Sequence, residues 1–254
     1  MLMKVYMKTD TGKIRSSNQD AMFSMEPEPN VLCAAVCDGM GGVNGGNIAS
    51  ELCVKVLQDQ LQKAYHSEMS DKSAIQMLTT ALFNANLAVY EESRKNEGLK
   101  GMGTTAVLAL VQRQHLFVVH VGDSRALLLR EGSVQQLTHD HTIVQAMVDS
   151  GEISEQQAQR HPQKHIITRA IGVQREVEVD VSDWQLQSGD LILLCSDGLS
   201  NHLSNDQICA AAKRFLPNEL AEGLIALANE DGGSDNITVV VISVNEPTGG
   251  SENG

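Results

Sequence analysis

The sequence of 254 residues lacks the features of secreted, membrane-spanning and nucleic-acid-binding proteins. No apolar run approaches the ~20 residues that a membrane-spanning helix needs, and residues 1–10 contain no apolar segment of the signal-peptide kind. Positive charge is scarce as well, because 19 Lys and Arg residues stand against 32 Asp and Glu residues, which disfavours binding to a phosphate backbone. We therefore expect a cytoplasmic protein that binds no nucleic acid and does not insert into a membrane.

Cysteine pairing and linkers are also missing. The five cysteines include no Cys-x-x-Cys pair, and Cys33, Cys37 and Cys195 lie in apolar runs, so we expect buried, reduced thiols. Neither an internal repeat nor a linker interrupts the chain before residue 246, which predicts a single domain over residues 1–245. Residues 246–254 (EPTGGSENG) have no apolar side chain and predict a disordered tail.

Short apolar runs and amphipathic segments are present and define the predicted elements. The helical segments come as two pairs while the apolar runs cluster together, and this order favours an α+β protein with antiparallel sheets over a regular βαβ alternation. The predicted strands are residues 31–37, 106–111, 116–121, 126–129, 191–195 and 237–244, and the predicted helices are residues 48–63, 73–94, 206–215 and 218–229.

Five aspartates lie at the boundaries of the predicted strands. Asp38 directly follows a strand, Asp123 and Asp197 each follow one after a single residue, and Asp20 and Asp235 each precede an apolar run. In an antiparallel sheet the end of one strand lies beside the start of its neighbour. We therefore expect the five carboxylates to meet at one edge of the sheets.

Such a cluster needs cations to be stable at neutral pH. Neighbouring carboxylates repel one another and raise each other's pKa values, whereas Mg²⁺ or Mn²⁺ accepts several oxygen ligands. The glycines beside these acids let the backbone approach a ligand closely and add a carbonyl oxygen. A single Asp-Gly pair is explained by an ordinary turn, but five acids at strand ends predict a metal site.

Seven motifs carry a family resemblance over residues 4–244. They occur in the order found in the metal-dependent protein phosphatase family, type 2C, and the chain resembles the bacterial branch. The motifs are RSSNQD (15–20), CDGMGG (37–42), GMGTTAV (101–107), VGDSRA (121–126), TRAIG (168–172), LLCSDGLSNHL (193–203) and GGSDNITVVVI (232–242).

The resemblance implies an α-β-β-α sandwich, in which two packed antiparallel sheets are flanked by helices. It implies hydrolysis of phosphoserine and phosphothreonine in proteins by attack of a metal-activated water, with two Mn²⁺ or Mg²⁺ ions in a central site and room for a third. The expected partners are phosphorylated proteins, among them a serine/threonine kinase and its substrates, and the expected state is a monomer. The alternative is a catalytically weak scaffold or regulatory binding module of the same fold.

Ligands of the central ions follow from the same resemblance. Asp38 would bridge the two ions, and the carbonyl of Gly39 would bind one of them. Asp197 and Asp235 would hold one ion of the pair.

Further roles are implied outside that pair. Asp20 and Gln19 would act in the outer shell through water, and Asp123 would help bind the third, weaker ion. Arg15 would grip the substrate phosphate as a bidentate fork.

Three positions depart from the family pattern. Met40 stands where many eukaryotic members have a histidine proposed as general acid, so the source of the leaving-group proton is open. Gln19 replaces a glutamate of many members, and Asn201 stands where some have another acid, which predicts weaker metal affinity at one site.

Residues 138–172 resemble the flap of the family, which we expect to be mobile and to influence substrate choice. Its histidines, His139 with His141 and His161 with His165, are possible metal pairs, but solvated loop histidines are the simpler interpretation.

Two further alternatives concern segments outside the flap. Residues 41–46 (GGVNGG) precede a helix and suit either an anion cradle or, more simply, a tight connection beside Asp38. Ser124 and Ser196 are interpreted as turn-stabilising, because no matching histidine order supports a catalytic triad.

Overall fold

The computed structural model describes residues 2–245, apart from the side chains of residues 43 and 44. The predicted tail, residues 246–254, lies outside the described residues. Eleven strands are defined within the described range: β1 (Leu2–Asp10), β2 (Asp20–Glu28), β3 (Val31–Met40), β4 (Gly103–Thr104), β5 (Ala106–Gln112), β6 (His115–Val121), β7 (Arg125–Arg130), β8 (Ser133–Gln136), β9 (Asp180–Gln185), β10 (Leu191–Cys195) and β11 (Ile237–Asn245).

The strands form two antiparallel sheets. One has the order β1-β11-β10-β7-β8, and the other has the order β2-β3-β5-β6-β9, with the short β4 paired to β3. Several strands pair with their neighbour along the chain, as β2 does with β3, β5 with β6 and β7 with β8, while β11 lies between β1 and β10. The first and the last strand of the described residues therefore lie side by side in the same sheet.

Helices cover the outer faces of both sheets. The helices of the described residues are α1 (Gly42–Ala64), α2 (Asp71–Lys95), α3 (Ile143–Asp149), α4 (Glu155–Ala158), α5 (Asp197–Ser200), α6 (Asn205–Arg214) and α7 (Pro217–Glu230). Ser70 caps α2 and Ser204 forms a capping box with Gln207 at α6, which satisfies free backbone N–H groups at the helix starts. None of these helices has the length and hydropathy required of a membrane span.

Strand alternation divides the interior into three apolar layers. In β3, Leu32 and Val36 face the other sheet, whereas Cys33 and Ala35 face α1 and α2. A third layer joins the outer face of the first sheet to α6 and α7, with Leu193 among its members. The predicted α-β-β-α sandwich is thus confirmed, and so are the buried free thiols Cys33, Cys37 and Cys195.

Some boundaries differ from the prediction. The strand predicted to end at residue 37 continues to Met40, because Gly39 and Met40 pair with β4. Asp38 therefore lies inside β3 and not after it. The prediction also missed β1, β8 and β9, whose partly exposed, polar-bearing sequences carry no continuous apolar run. It did not define the two-residue β4, and it noted β2 only as a short apolar run after Asp20.

Candidate metal centre

The five predicted aspartates come together where the ends of the two sheets meet. Asp20 opens β2 and is the register partner of Asp38 in β3, so both belong to the same sheet edge. Asp197 follows β10 and Asp235 precedes β11 in the other sheet, and Asp123 follows β6. Burial, followed by the charges of the other four acids, raises the pKa of Asp38 well above its usual range.

Three of the other acids are perturbed in the same direction. Burial raises the pKa of Asp20 to about 7 and that of Asp123 to about 8. Burial and the neighbouring Asp235 raise the pKa of Asp197. Buried carboxylates of like charge resist ionisation, so this cluster is a strong candidate for binding cations that would neutralise it.

Unpaired oxygens at the centre support the same assignment. Oδ1 of Asp20 and Oδ1 of Asp197 are buried, and neither has a hydrogen-bond partner in the described structure. A buried polar atom without a partner is costly, and a bound ion is one recognised explanation. The donor set consists of carboxylate and carbonyl oxygens, which suits Mg²⁺ or Mn²⁺. The residues present therefore fit divalent cations.

Gly39 allows three backbone segments to converge beside Asp38. A Cβ atom at Gly39 would lie 2.1 Å from the carbonyl oxygen of Gly46 and 2.5 Å from that of Gln19, so only glycine fits without displacement. The Gly39 amide donates to the Gln19 carbonyl at 3.1 Å. This close packing favours the interpretation of residues 41–46 as a tight connection over an anion cradle.

A buried polar network holds the acids in place, and sequence reasoning missed it. The Ser196 hydroxyl donates to Asp20 Oδ2 at 2.8 Å and accepts the Thr238 amide at 3.0 Å. Thr238 is fully buried, and a threonine inside the apolar run 237–244 was the available signal. Ser196 thus stabilises the site by hydrogen bonding, and Ser124 lies 2.6 Å from the Thr105 hydroxyl.

Asn236 ties the loop before β2 to the start of β11. Its Nδ2 donates to the carbonyls of Thr11 and Ser17, at 2.9 Å each, and its Oδ1 accepts the Gln19 amide at 2.8 Å. These bonds fix residues 11–19 against Asp235. No pattern in the sequence identified this role, because the partners lie more than 200 residues away along the chain.

The predicted outer residues surround the cluster. Arg15 Nη2 donates to Asp235 Oδ2 at 2.8 Å, and Asn201 Nδ2 donates to Asp197 Oδ2 at 2.9 Å. The Gln19 side chain donates to the Gly42 carbonyl at 3.0 Å. His165 of the flap, which the sequence did not single out for this site, has Nδ1 at 4.0 Å from Asp197 Oδ2.

The interpretation of the flap histidines as solvated is wrong for His141. This residue is 5% exposed, and its ring stacks on His120 with centroids 4.8 Å apart. His139, two residues earlier, is exposed and pairs with Asp149 at 2.8 Å. The sequence spacing placed both in one loop, but only the fold shows which one points into the protein.

A groove opens beside the acids between the flap and helices α5 and α6. Its volume is about 780 Å³, and its lining includes Asp123 and Asp197 together with Arg160 and Lys164 from the flap. Polar side chains dominate the lining. The groove is therefore suited to a polar ligand that also reaches the acids Asp123 and Asp197.

Comparison with known proteins gives matches over nearly the whole chain. The profile of the family described as protein phosphatase 2C matches residues 13–233. The serine/threonine phosphatase stp of Listeria welshimeri is 39% identical over 246 residues, which cover 94% of each chain.

Solved structures match equally well. The structure of the S. agalactiae serine/threonine phosphatase superposes with a TM-score of 0.90 at 36% identity, covering 96% of this chain and 100% of that chain. The catalytic domain of serine threonine protein phosphatase PstP in complex with 2 manganese ions has a TM-score of 0.83 at 34% identity, with 96% and 99% coverage.

Proposed function

The chain belongs to the protein phosphatase 2C family, and from that membership we propose that its acid cluster binds the cations of a serine/threonine phosphatase. The observation that carries this proposal is the convergence of Asp20, Asp38, Asp197 and Asp235 with two buried, unpaired carboxylate oxygens. The predicted family and phosphatase activity are confirmed by the relatives, and the alternative of a catalytically weak scaffold gains no support from them.

We propose Asp38, the Gly39 carbonyl, Asp197 and Asp235 as ligands of two central ions, Mn²⁺ or Mg²⁺. The solved relative with 2 manganese ions supports this number. Bound there, the ions would supply Lewis-acid polarisation of the phosphoryl group and an activated water. Asp123 is proposed as the ligand of a third, weaker ion, with Asp20, Gln19 and Asn201 orienting the outer waters or the ligands.

The chain's own groups then position the substrate. Arg15 lies half-exposed at the rim of the cluster, with its side chain 53% accessible, and its planar guanidinium suits two phosphoryl oxygens. The groove beside Asp123 and Asp197 would receive the flanking polypeptide. We propose that the substrates are phosphorylated proteins, including a serine/threonine kinase and its targets. We further propose that the enzyme is a monomer and acts in the cytoplasm.

Dependence of turnover on metal tests the proposal. Release of phosphate from a phosphothreonine peptide should require Mn²⁺ and stop when a chelator is added. Asp38→Asn should bind the central ions far more weakly and lower turnover at least ~100-fold, because a proposed ligand of both ions loses its negative charge. Asp123→Ala should slow turnover while the two central ions remain bound, as counted by calorimetric titration.

Two results would contradict these roles. Protein with bound Mn²⁺ that releases no phosphate from peptides or aryl phosphates would support the scaffold alternative. Equal loss of the central ions in Asp38→Asn and Asp123→Ala would contradict the division between a bridging and an outer acid. Asp149→Ala, at the exposed flap residue that pairs with His139, serves as the control for removal of an acid.

A further inference from the structure

His141 lies where the flap meets the turn that precedes Asp123. Its backbone amide donates to the Gly122 carbonyl at 3.1 Å, and its own carbonyl accepts the Thr168 amide at 2.8 Å. One bond reaches the core of the site, and the other joins the two ends of the flap. The backbone of His141 therefore already connects the flap to the turn that precedes Asp123.

The imidazole adds a second bond to the same glycine. The Gly122 amide donates to His141 Nδ1 at 3.0 Å, so Nδ1 carries no proton. In the neutral ring the proton is then on Nε2, which lies 3.3 Å from Asp180 Oδ2. Burial, with His120 and Arg169 nearby, lowers the pKa of His141, which agrees with a neutral ring.

Arg169, near the end of the flap, completes the arrangement. Its Nη1 lies 2.6 Å from Asp180 Oδ1 and 3.0 Å from His141 Nε2, and its Nη2 lies 3.2 Å from Glu178 Oε2. His120, His141 and Asp180 form a donor set of the kind that holds a metal ion. The guanidinium already brings a positive charge against that set, so the group is better explained as a charge-balanced scaffold for the His141 ring.

Gly122 is held from its other side as well. Its φ of +105° and the contact of 2.6 Å that a Cβ atom would make with Thr105 exclude any other residue. Both polar backbone groups of Gly122 bond to His141. The peptide that leads into Asp123 is thus clamped between Thr105 and His141, which fixes the direction in which the Asp123 carboxylate leaves the chain.

We propose that His141 is a positioning residue, which holds the Gly122–Asp123 turn in the geometry that Asp123 needs to bind its cation and couples that turn to the flap. The role of Asp123 in this statement rests on the function proposed above. Asp180 favours the Nδ1-acceptor tautomer, because its carboxylate can accept the Nε2 proton, as outer partners orient a histidine ligand in metal sites. Arg169 can only donate, so it acts by holding the Asp180 carboxylate in place. Because the same residue bonds to Thr168, a movement of the flap would be transmitted to Asp123.

Three variants of the full-length protein test the role. His141→Ala removes the ring, His141→Asn keeps an acceptor where Nδ1 lies, and His139→Ala is the matched control in the same loop. Mn²⁺ titration should show the Asp123-dependent ion weakened ~10-fold or more in His141→Ala, with the two central ions retained. Amide hydrogen exchange of Gly122 and Asp123 should rise in His141→Ala, and by less in His141→Asn.

The outcomes separate this inference from the proposed function. If Asp123→Ala binds as many ions as the unmodified protein, the assignment of a third ion to Asp123 is wrong. The positioning role of His141 is then tested by amide exchange alone. Unchanged exchange of Gly122 in a folded His141→Ala variant overturns the positioning role. A ring spectrum by two-bond ¹H–¹⁵N correlation should show the Nε2–H tautomer in the unmodified protein, and an Nδ1–H tautomer would overturn the inference even if His141→Ala does not fold.

Discussion

At the scale of single residues, Arg15 is the most informative position, because it bonds to an acid of the metal cluster and still faces solvent. A phosphoryl group arriving at the cluster offers the guanidinium two oxygens in place of one oxygen of Asp235. We predict that Arg15→Ala raises KM for a phosphothreonine peptide ~10-fold or more, the size expected for a charge-assisted hydrogen bond, and leaves kcat less affected. Steady-state kinetics at saturating Mn²⁺ measure both constants.

Two further variants make this prediction specific. Arg15→Lys keeps the charge but loses the planar fork, so its KM should lie between that of the unmodified protein and that of Arg15→Ala. Lys13→Ala removes an exposed positive charge two residues away and should leave KM nearly unchanged. A fall in kcat as large as that in kcat/KM would instead mean that Arg15 acts only in the transition state.

At the scale of elements, the sequence predicted the strands that are buried on both faces and missed strands with an exposed face. Strand β5 is buried along its whole length, and its unbroken apolar run was readily recognised. Strand β1 lies at a sheet edge with side chains that are all exposed or only partly buried, and Lys4 and Lys8 interrupt its apolar pattern. Strand boundaries located the acids to within a residue or two, but the inward turn of His141 depends on partners in other segments, which no local pattern reveals.

Helix α2 anchors the chain where the flap ends, and this contact can be tested on its own. Asn86 is 1% exposed. Its Oδ1 accepts the Gly172 amide at 2.7 Å, and its Nδ2 donates to the carbonyls of Gln174 and Arg175, each at 3.0 Å. We predict that Asn86→Ala lowers the free energy of unfolding by about 2–3 kcal/mol, since the buried Gly172 amide loses its acceptor and the carbonyls of Gln174 and Arg175 lose a donor.

Urea unfolding measures this effect against a neighbour on the same helix. Asn84 is only partly buried and makes a single bond to Gln60 at 3.2 Å. Asn84→Ala should therefore cost less than about 1 kcal/mol. Equal midpoints for the two variants would show that α2 does not hold the end of the flap.

At the scale of the whole molecule, the acid cluster opposes folding unless cations neutralise it. The pKa of Asp20 rises from 3.8 to about 7 and that of Asp123 from 3.8 to about 8 on folding. Between the unfolded and the folded pKa of each acid, the folded chain holds more protons than the unfolded chain, so the free energy of unfolding falls as pH rises. His120 and His141 have lowered pKa values, and they act in the opposite direction only below their ordinary value of 6.5.

A pH range of 7.5 to 8.5 therefore reports mainly on the acids, because both histidines are almost fully neutral there in either state. With EDTA present, we predict that Tm falls across this range, because the free energy of unfolding decreases by about 1.4 kcal/mol per pH unit for each extra proton that the folded chain holds. Saturating Mn²⁺ should raise Tm and flatten the dependence, because cations replace the protons. Asp123→Asn cannot ionise at this position, so with EDTA it should be more stable than the unmodified protein at pH 8.5 and should show a shallower slope. An equal slope in the variant and the unmodified protein would mean that Asp123 ionises freely in the folded chain, and the field that gathers cations would then have to come from the remaining acids.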